Sequence, residues 1–164
     1  MFKNHKNQLY NILLILSRNI FFYKKIGLSD SFETRIYLMF FHFSILMIVF
    51  KKKGSKFDQK SYDNFFNNIE YNLRELGFGD VTVNKKMKEF NKILYDILLK
   101  LDNDKKNNKT IKISHALVCK YFDGLNDIKS AKFILFEEYF SNFIHFCFEL
   151  PLDNMIEELN NFKT

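Results

Sequence analysis

Proline occurs once in the 164 residues, glycine five times and tryptophan not at all. So few backbone breakers cannot punctuate the many turns of a sandwich or barrel, whereas helices need few of them. Cysteine is equally scarce. Cys119 and Cys147 are too few for the dense framework of a secreted disulfide scaffold, so reduced thiols are expected. Lys3 and Lys6 precede an apolar run over residues 9–16, but Arg18 follows with no small-residue cleavage site, which argues against secretion. An Arg- and Ser-rich presequence is also lacking, and the expectation is a bacterial cytosolic protein rather than an imported precursor.

What is present is apolar and aromatic. Hydrophobic residues make up 47% and charged residues 27%, enough apolar side chain to offset chain entropy, and the length suits one domain over residues 1–164. The 21 Phe and 8 Tyr have two competing explanations. One is a partner surface left open. The other, favoured for most of the excess, is AT-rich codon usage, which raises Phe, Lys, Asn and Ile together. The net charge of +6 is unevenly spread: residues 1–120 hold 22 Lys/Arg against 11 Asp/Glu, and residues 121–164 hold 3 against 8. A basic face suits RNA, anionic lipid or an acidic protein, although lysines scattered among Asn and Asp are the ordinary pattern of a solvated surface.

Periodicity gives the elements. Leu9, Ile12, Leu13, Leu16, Ile20 and Tyr23 step by three and four, which predicts a first helix ending near Gly27. Asp30-Ser31-Phe32-Glu33 has the form of a capping box, and the short connection predicts a helical hairpin. Residues 36–50 are apolar except for His42 and Ser44. At ~1.5 Å per residue they fall short of a ~30 Å hydrocarbon core, so a buried central helix is expected, with Lys51, Lys52 and Lys53 complementing its dipole and Gly54 ending it. Asp58 should cap a helix that ends at Gly77, and after a loop over residues 77–83 a stripe from Val83 to Leu101 marks another. Residues 102–108 look like a polar linker. A weak pattern covers residues 111–122, a long aromatic helix fills 128–149 before Pro151, and a terminal helix covers 152–162. The expectation is an all-α bundle of about six or seven helices.

Searches for catalytic chemistry return little. Gly77-Phe78-Gly79 follows a helix rather than a strand, and Thr82 stands where a third dinucleotide-fingerprint glycine belongs. His115 and Cys119 share a helix face and could contribute to a metal site. His145 and Cys147, two apart, point to different sides and do not complete one, so packing and hydrogen bonding are preferred for all four. Ser17 has no identifiable base. No catalytic residue, metal or cofactor is expected.

The distinctive segment is Leu73-Arg74-Glu75-Leu76-Gly77-Phe78-Gly79-Asp80-Val81-Thr82-Val83. It resembles the L-R-E-x-G-x-G-D-x-x-V signature of the ubiquinol–cytochrome c chaperone family. Upstream, Phe22-Tyr23, then Gly27-Leu28-Ser29-Asp30-Ser31 and Arg35, with His42 in the next helix, are similar to the family's F-Y-x-x-x-G-V-x-D-T-x-x-G-R and later L-H. The likeness is best over residues 9–100. Thr34 replaces a glycine, Glu70 an aspartate and Asn84 a glycine, and Asp96-Ile97 lacks a Gly-Arg pair. Independently of the family, Gly77 suits a positive φ at a helix end, Gly79 a tight reversal, and Asp80 suits accepting backbone N–H bonds in the turn. A structural junction is at least as well supported for this loop as a contact surface. For His42 the default is a hydrogen-bonded core residue.

The resemblance implies a non-enzymatic assembly chaperone that engages newly made cytochrome b during the building of respiratory complex III. It marks Tyr23, Asp30, Arg35, His42, Arg74, Glu75, Gly77, Gly79 and Asp80 as partner-binding or motif residues, with Arg35, Arg74, Glu75 and Asp80 carrying the contacts. Partners implied in mitochondrial members are a second small assembly factor and the ribosome near its exit tunnel. Peripheral membrane contact fits a cytoplasmic or matrix-side location, and DNA is not an expected partner. The competing class is an RNA- or ribosome-binding helical module, whose affinity would fall steeply with salt. A client surface is expected among Phe136, Tyr139, Phe140, Phe143, Phe146 and Phe148, which circle one helix and so cannot all face a single core stripe.

Overall fold

A computed structural model of the chain describes residues 8–102 and 111–163. Its helices are Gln8–Ser17 (α1), Ile20–Lys24 (α2), Phe32–Lys52 (α3), Gln59–Glu75 (α4), Asp80–Leu101 (α5), His115–Tyr121 (α6) and Ala131–Glu149 (α7). Short turns of 3₁₀ and α-helix, Leu152–Asn154, Met155–Glu158 and Leu159–Asn161, complete it. No described residue lies in a β-strand, so the fold is all-α. Most of the predicted linker, residues 103–108, falls outside the described residues.

Helix α3 is central because its sequence leaves it no polar face. Its buried residues run from Ile36 through Leu38–Leu46 to Val49 and occupy every side of the helix. By length and composition alone it is the one described helix that could cross a membrane, but most of it is enclosed by protein. α1, α5 and α7 pack along it. α4 closes another side through Phe65, whose ring lies 6.1 Å from Phe40 and 4.8 Å from Phe43, and α6 brings Phe122 to 5.3 Å from Phe41. Fully burying one such ring contributes about 1.5–3 kcal/mol, so this aromatic layer is a principal source of stability.

The ends of α3 are held more firmly than a solvated charge run would require. Ser31, not Asp30, is the N-cap, its hydroxyl accepting from the Thr34 N–H at 3.2 Å. The expected box is thus displaced by one residue, and Thr34 takes the place of its glutamate. At the other end Lys51 pairs with Asp102 at 2.9 Å, and the Lys53 ammonium donates to the Leu150 carbonyl, so both lysines join α3 to neighbouring elements.

The predicted first helix is two helices. Ser17 turns its hydroxyl back onto the Leu14 carbonyl at 2.8 Å, and the side chain of Asn19 accepts from the Phe21 N–H at 3.1 Å to start α2. The break changes the phase of the stripe. Ile20, expected inside, is 61% exposed, and Phe22 is fully buried in its place.

Two other expectations change. The loop before α5 is shorter than residues 77–83, since α5 begins at Asp80, and α7 begins at Ala131 rather than 128, capped by Ser130. The aromatic rings of α7 do not form an open patch. Phe136, Tyr139, Phe140 and Phe143 are buried, while Phe146 and Phe148 are half-buried against the core. They circle the helix because it is covered on more than one side. α2 contributes Phe22, and the terminal stretch contributes Phe162, whose ring lies 5.5, 5.2 and 5.2 Å from Tyr139, Phe143 and Phe146.

Phe43→Ala should therefore cost about 3–5 kcal/mol in denaturant unfolding, while Ile15→Ala, on the exposed side of α1, should change stability by no more than about 0.5 kcal/mol. Similar costs for the two would contradict the central placement of α3.

Candidate functional site

The two motif segments, some forty residues apart in sequence, meet at one groove. α1, the first two turns of α3 and the end of α4 form it, and its volume is about 280 Å³. Leu14, Phe32, Ile36, Met39 and Leu76 supply apolar lining; Arg18, Arg35, Asn72 and Glu75 supply the polar groups. Arg35 comes from the upstream motif and Glu75 from the downstream one. Arg35 pairs with Asp30 at 3.3 Å, an exposed contact of modest strength. Glu75 makes no ion pair among the described residues, and neither does Arg18. The groove thus presents charge of both signs beside an apolar floor. Another cleft of the same volume, lined by Gln8, Asp58, Lys60 and Asn64 among others, contains none of the motif residues.

Tyr23 sits behind this site. Its hydroxyl donates to the Ser17 carbonyl at 2.7 Å, satisfying a backbone acceptor left free where α1 ends. Burial raises its pKa and the nearby Asp30 adds to the rise, while Arg35 and Arg18 oppose it. It thereby ties α2 to the end of α1 across the break. Asn72, from α4, donates to the Tyr10 hydroxyl and ties α4 to α1 along the groove wall.

The Gly77 to Asp80 turn is set by backbone geometry. Gly77 has φ +94°, a conformation that side-chain-bearing residues rarely adopt, whereas Gly79 has φ −78° and precedes α5 as its N-cap. Asp80 does not accept turn N–H groups as expected. It is the first residue of α5, and its carboxylate pairs with Arg74, which also reaches Glu70 at 3.6 Å. Arg74 therefore pairs across the turn and bridges α4 and α5. The Asp80 hydrogen bond raises the Arg74 pKa. Beside this bridge, Leu76 is 59% exposed and Val81 83% exposed, and Phe78 carries Lys86 over its ring at 5.1 Å. These side chains are not needed by the core.

His42 does not join the groove. It is fully buried and faces α7, its Nδ1 2.6 Å from the Leu38 carbonyl and its Nε2 2.8 Å from the Tyr139 hydroxyl. A carbonyl only accepts, so Nδ1 carries the proton and Tyr139 donates to Nε2. Burial lowers the His42 pKa to about 4, although the bond to Leu38 works in the opposite direction. The neutral ring is an architectural link between α3 and α7.

His115 and Cys119 do meet, with the Cys119 sulfur 3.2 Å from His115 Nε2, and both also contact the Leu125 carbonyl at 3.2 Å. His145 pairs with Glu149 on the surface, while Cys147 is buried. Among the described residues no three His, Cys, Asp or Glu side chains converge as a metal site would require.

Residues of both motifs thus line one amphiphilic groove, whose floor includes the core residues Ile36 and Met39. The profile of the ubiquinol-cytochrome C chaperone family matches residues 24–134. The chain belongs to this family. The match begins one residue after Tyr23 and continues through α6 into the start of α7, further than the resemblance over residues 9–100 reached. Searches of curated proteins and of solved structures each found no match.

Two predictions separate architecture from binding. Because the folded pKa of His42 lies below its unfolded value of about 6.5, the unfolded chain takes up the proton first as pH falls. His42 should therefore remove about 3 kcal/mol of stability between pH 6.5 and 4, and His42→Leu should abolish that part of the pH dependence in urea titrations. Gly77→Ala should destabilise by about 1 kcal/mol or more, and Gly79→Ala by less, since only the former has a positive φ. Equal losses in thermal unfolding would show that the turn is not the determinant.

Proposed function

We propose that this chaperone-family chain is a non-enzymatic assembly factor that engages newly made cytochrome b during the building of respiratory complex III. The observation that carries the reading is the meeting of Arg35 and Glu75, from separate family motifs, on one groove with an apolar floor. A hydrophobic client needs apolar contact to prevent aggregation, and charged groups beside it fix which segment docks and in which direction. Arg18 and Asn72 complete the polar set, and Leu76 offers an exposed apolar contact. Arg74 and Asp80, paired with each other, hold the wall of the site and act on the client through its shape. A second small assembly factor and the ribosome are further proposed partners, implied by the family resemblance.

The experiment is affinity capture from detergent-solubilised membranes with tagged wild-type chain and with Arg35→Glu or Glu75→Lys. Both positions are outside the core, so folding should be retained. Captured cytochrome b should fall about tenfold or more, as when a charge pair at a binding surface is reversed. Assembled complex III should fall in cells carrying either variant. Undiminished capture by both variants would place the client elsewhere, and normal complex III after deletion would refute the assembly role. Capture of RNA that vanishes at high salt would favour the RNA-binding reading instead.

A further inference from the structure

One face of α5 is left unused by both the core and the groove. Its inward stripe is Val83, Phe90, Leu94, Ile97 and Leu101, all buried. On the opposite side Val81, Lys85, Lys88, Lys92, Tyr95 and Leu99 follow one another at intervals of four and three, and all six are exposed. The line is about 27 Å long at ~1.5 Å per residue. Its order is an apolar end, three cations, then an aromatic and an apolar end. Val81, Tyr95 and Leu99 are 83%, 56% and 70% exposed, well beyond what a packed helix needs.

The charge of this face is not neutralised from within. Lys85, Lys88 and Lys92 make no ion pair among the described residues. The acids of α5 are mostly engaged elsewhere. Asp80 pairs with Arg74. Asp96 is held by Lys100 and Lys120 at 2.9 and 2.8 Å and by the Tyr121 hydroxyl, which outweigh its partial burial and keep its carboxyl below the usual range. Glu89 neighbours Lys85 and Lys92 along the helix but makes no ion pair with either, and three cations against one acid leave the face net positive. Near its carboxyl end the stripe opens onto a groove of about 460 Å³ lined by Met47, Phe57, Tyr62, Tyr95, Leu98 and Leu99, with Lys56 and the Lys51–Asp102 pair at its edge. The Tyr62 hydroxyl is buried there beside Tyr95.

We infer that this face of α5 docks on an anionic phospholipid surface, with Lys85, Lys88 and Lys92 over headgroup phosphates and Tyr95 and Leu99 entering the interfacial layer. The choice of a lipid surface over an acidic protein rests on shape. The six side chains lie along a single convex helix, which offers a flat, deformable sheet continuous contact but gives a folded partner no pocket for the lysine segment. Tyr95 also has the amphipathic ring suited to the headgroup level, and each surface lysine gains attraction from an anionic leaflet. The inference rests on the proposed role in that it supplies the membrane on which the client is met, but its geometry is separate from the groove carrying Arg35 and Glu75.

The test is flotation of the full chain with vesicles of phosphatidylcholine containing about 30% phosphatidylglycerol, an anionic content high enough to create a negative surface potential. Pure phosphatidylcholine vesicles serve as the reference. Binding to the anionic vesicles should exceed binding to the neutral ones and weaken with salt. Lys85→Gln, Lys88→Gln and Lys92→Gln together should weaken it about 100-fold. Lys24→Gln, Lys25→Gln and Lys60→Gln remove the same charge from other exposed positions and should weaken it much less. Tyr95→Ala with Leu99→Ala should reduce the part that survives high salt. The inference is overturned if anionic vesicles are not bound, if the two lysine triples lose binding equally, or if the α5 lysines are needed only for an acidic peptide or RNA. Cytochrome b capture that persists in the α5 triple would leave the assembly role standing whichever way the vesicle result falls.

Discussion

The rest of the structure follows from the need to hide α3. A helix apolar on every side cannot rest on one neighbour, so α1, α4, α5, α6 and α7 all place side chains against it. That enclosure carries its own demand, because His42 lies in its middle and a buried imidazole must be paired. The partner is Tyr139, which fixes α7 against α3 at a defined register. Apolar burial therefore supplies most of the stability, and polar contacts, His42 to Tyr139 within the core and Lys53 to the Leu150 carbonyl at its edge, supply alignment.

The same enclosure positions the groove. Ile36 and Met39 belong both to the core and to the groove floor, and Arg35 emerges from α3 immediately beside them. α1 cannot shift relative to α3 without opening that floor. Tyr23 and Asn19 matter here because they hold the break after α1, and Asn72 matters because it ties α4 to Tyr10. Motif residues thus divide by what they touch: Arg35 and Glu75 face the groove, Arg74, Gly77 and Asp80 set the turn that bounds it, and His42 stays within the core.

Long elements with a strong period were legible in the sequence. α4 and α5 follow from their stripes, Asp58 caps where expected by accepting from the Ser61 N–H, and the apolar run of α3, interrupted only by His42 and Ser44, foretold encirclement. What was not legible depended either on local polar bonds that hydrophobic spacing does not register or on contacts distant in sequence. The α1–α2 break is decided by local side-chain bonds that compete with a continuing helix, and hydrophobic spacing alone does not register them. The aromatic rings of α7 looked too widely distributed to bury, because nothing in the local pattern reveals that Phe22 and Phe162 come back to cover them. Arg18 and Asn72 were missed as groove residues for the same reason, since their neighbours come from other helices. For Arg18 a signal existed in its position, an arginine closing an apolar helix shortly before the motif.

The order of elements in α3's enclosure has a consequence for biogenesis. During synthesis residues 36–50 leave the ribosome before α5, α6 and α7 exist, so for that interval the chain displays an apolar helix walled only by α1 and α2. Such a segment resembles, to any factor sampling nascent chains, the start of a membrane span. Its protection is polarity: His42 interrupts the apolar run midway, and three lysines close it. The histidine and lysines that organise the finished fold are thus also the marks by which the unfinished chain differs from a membrane span.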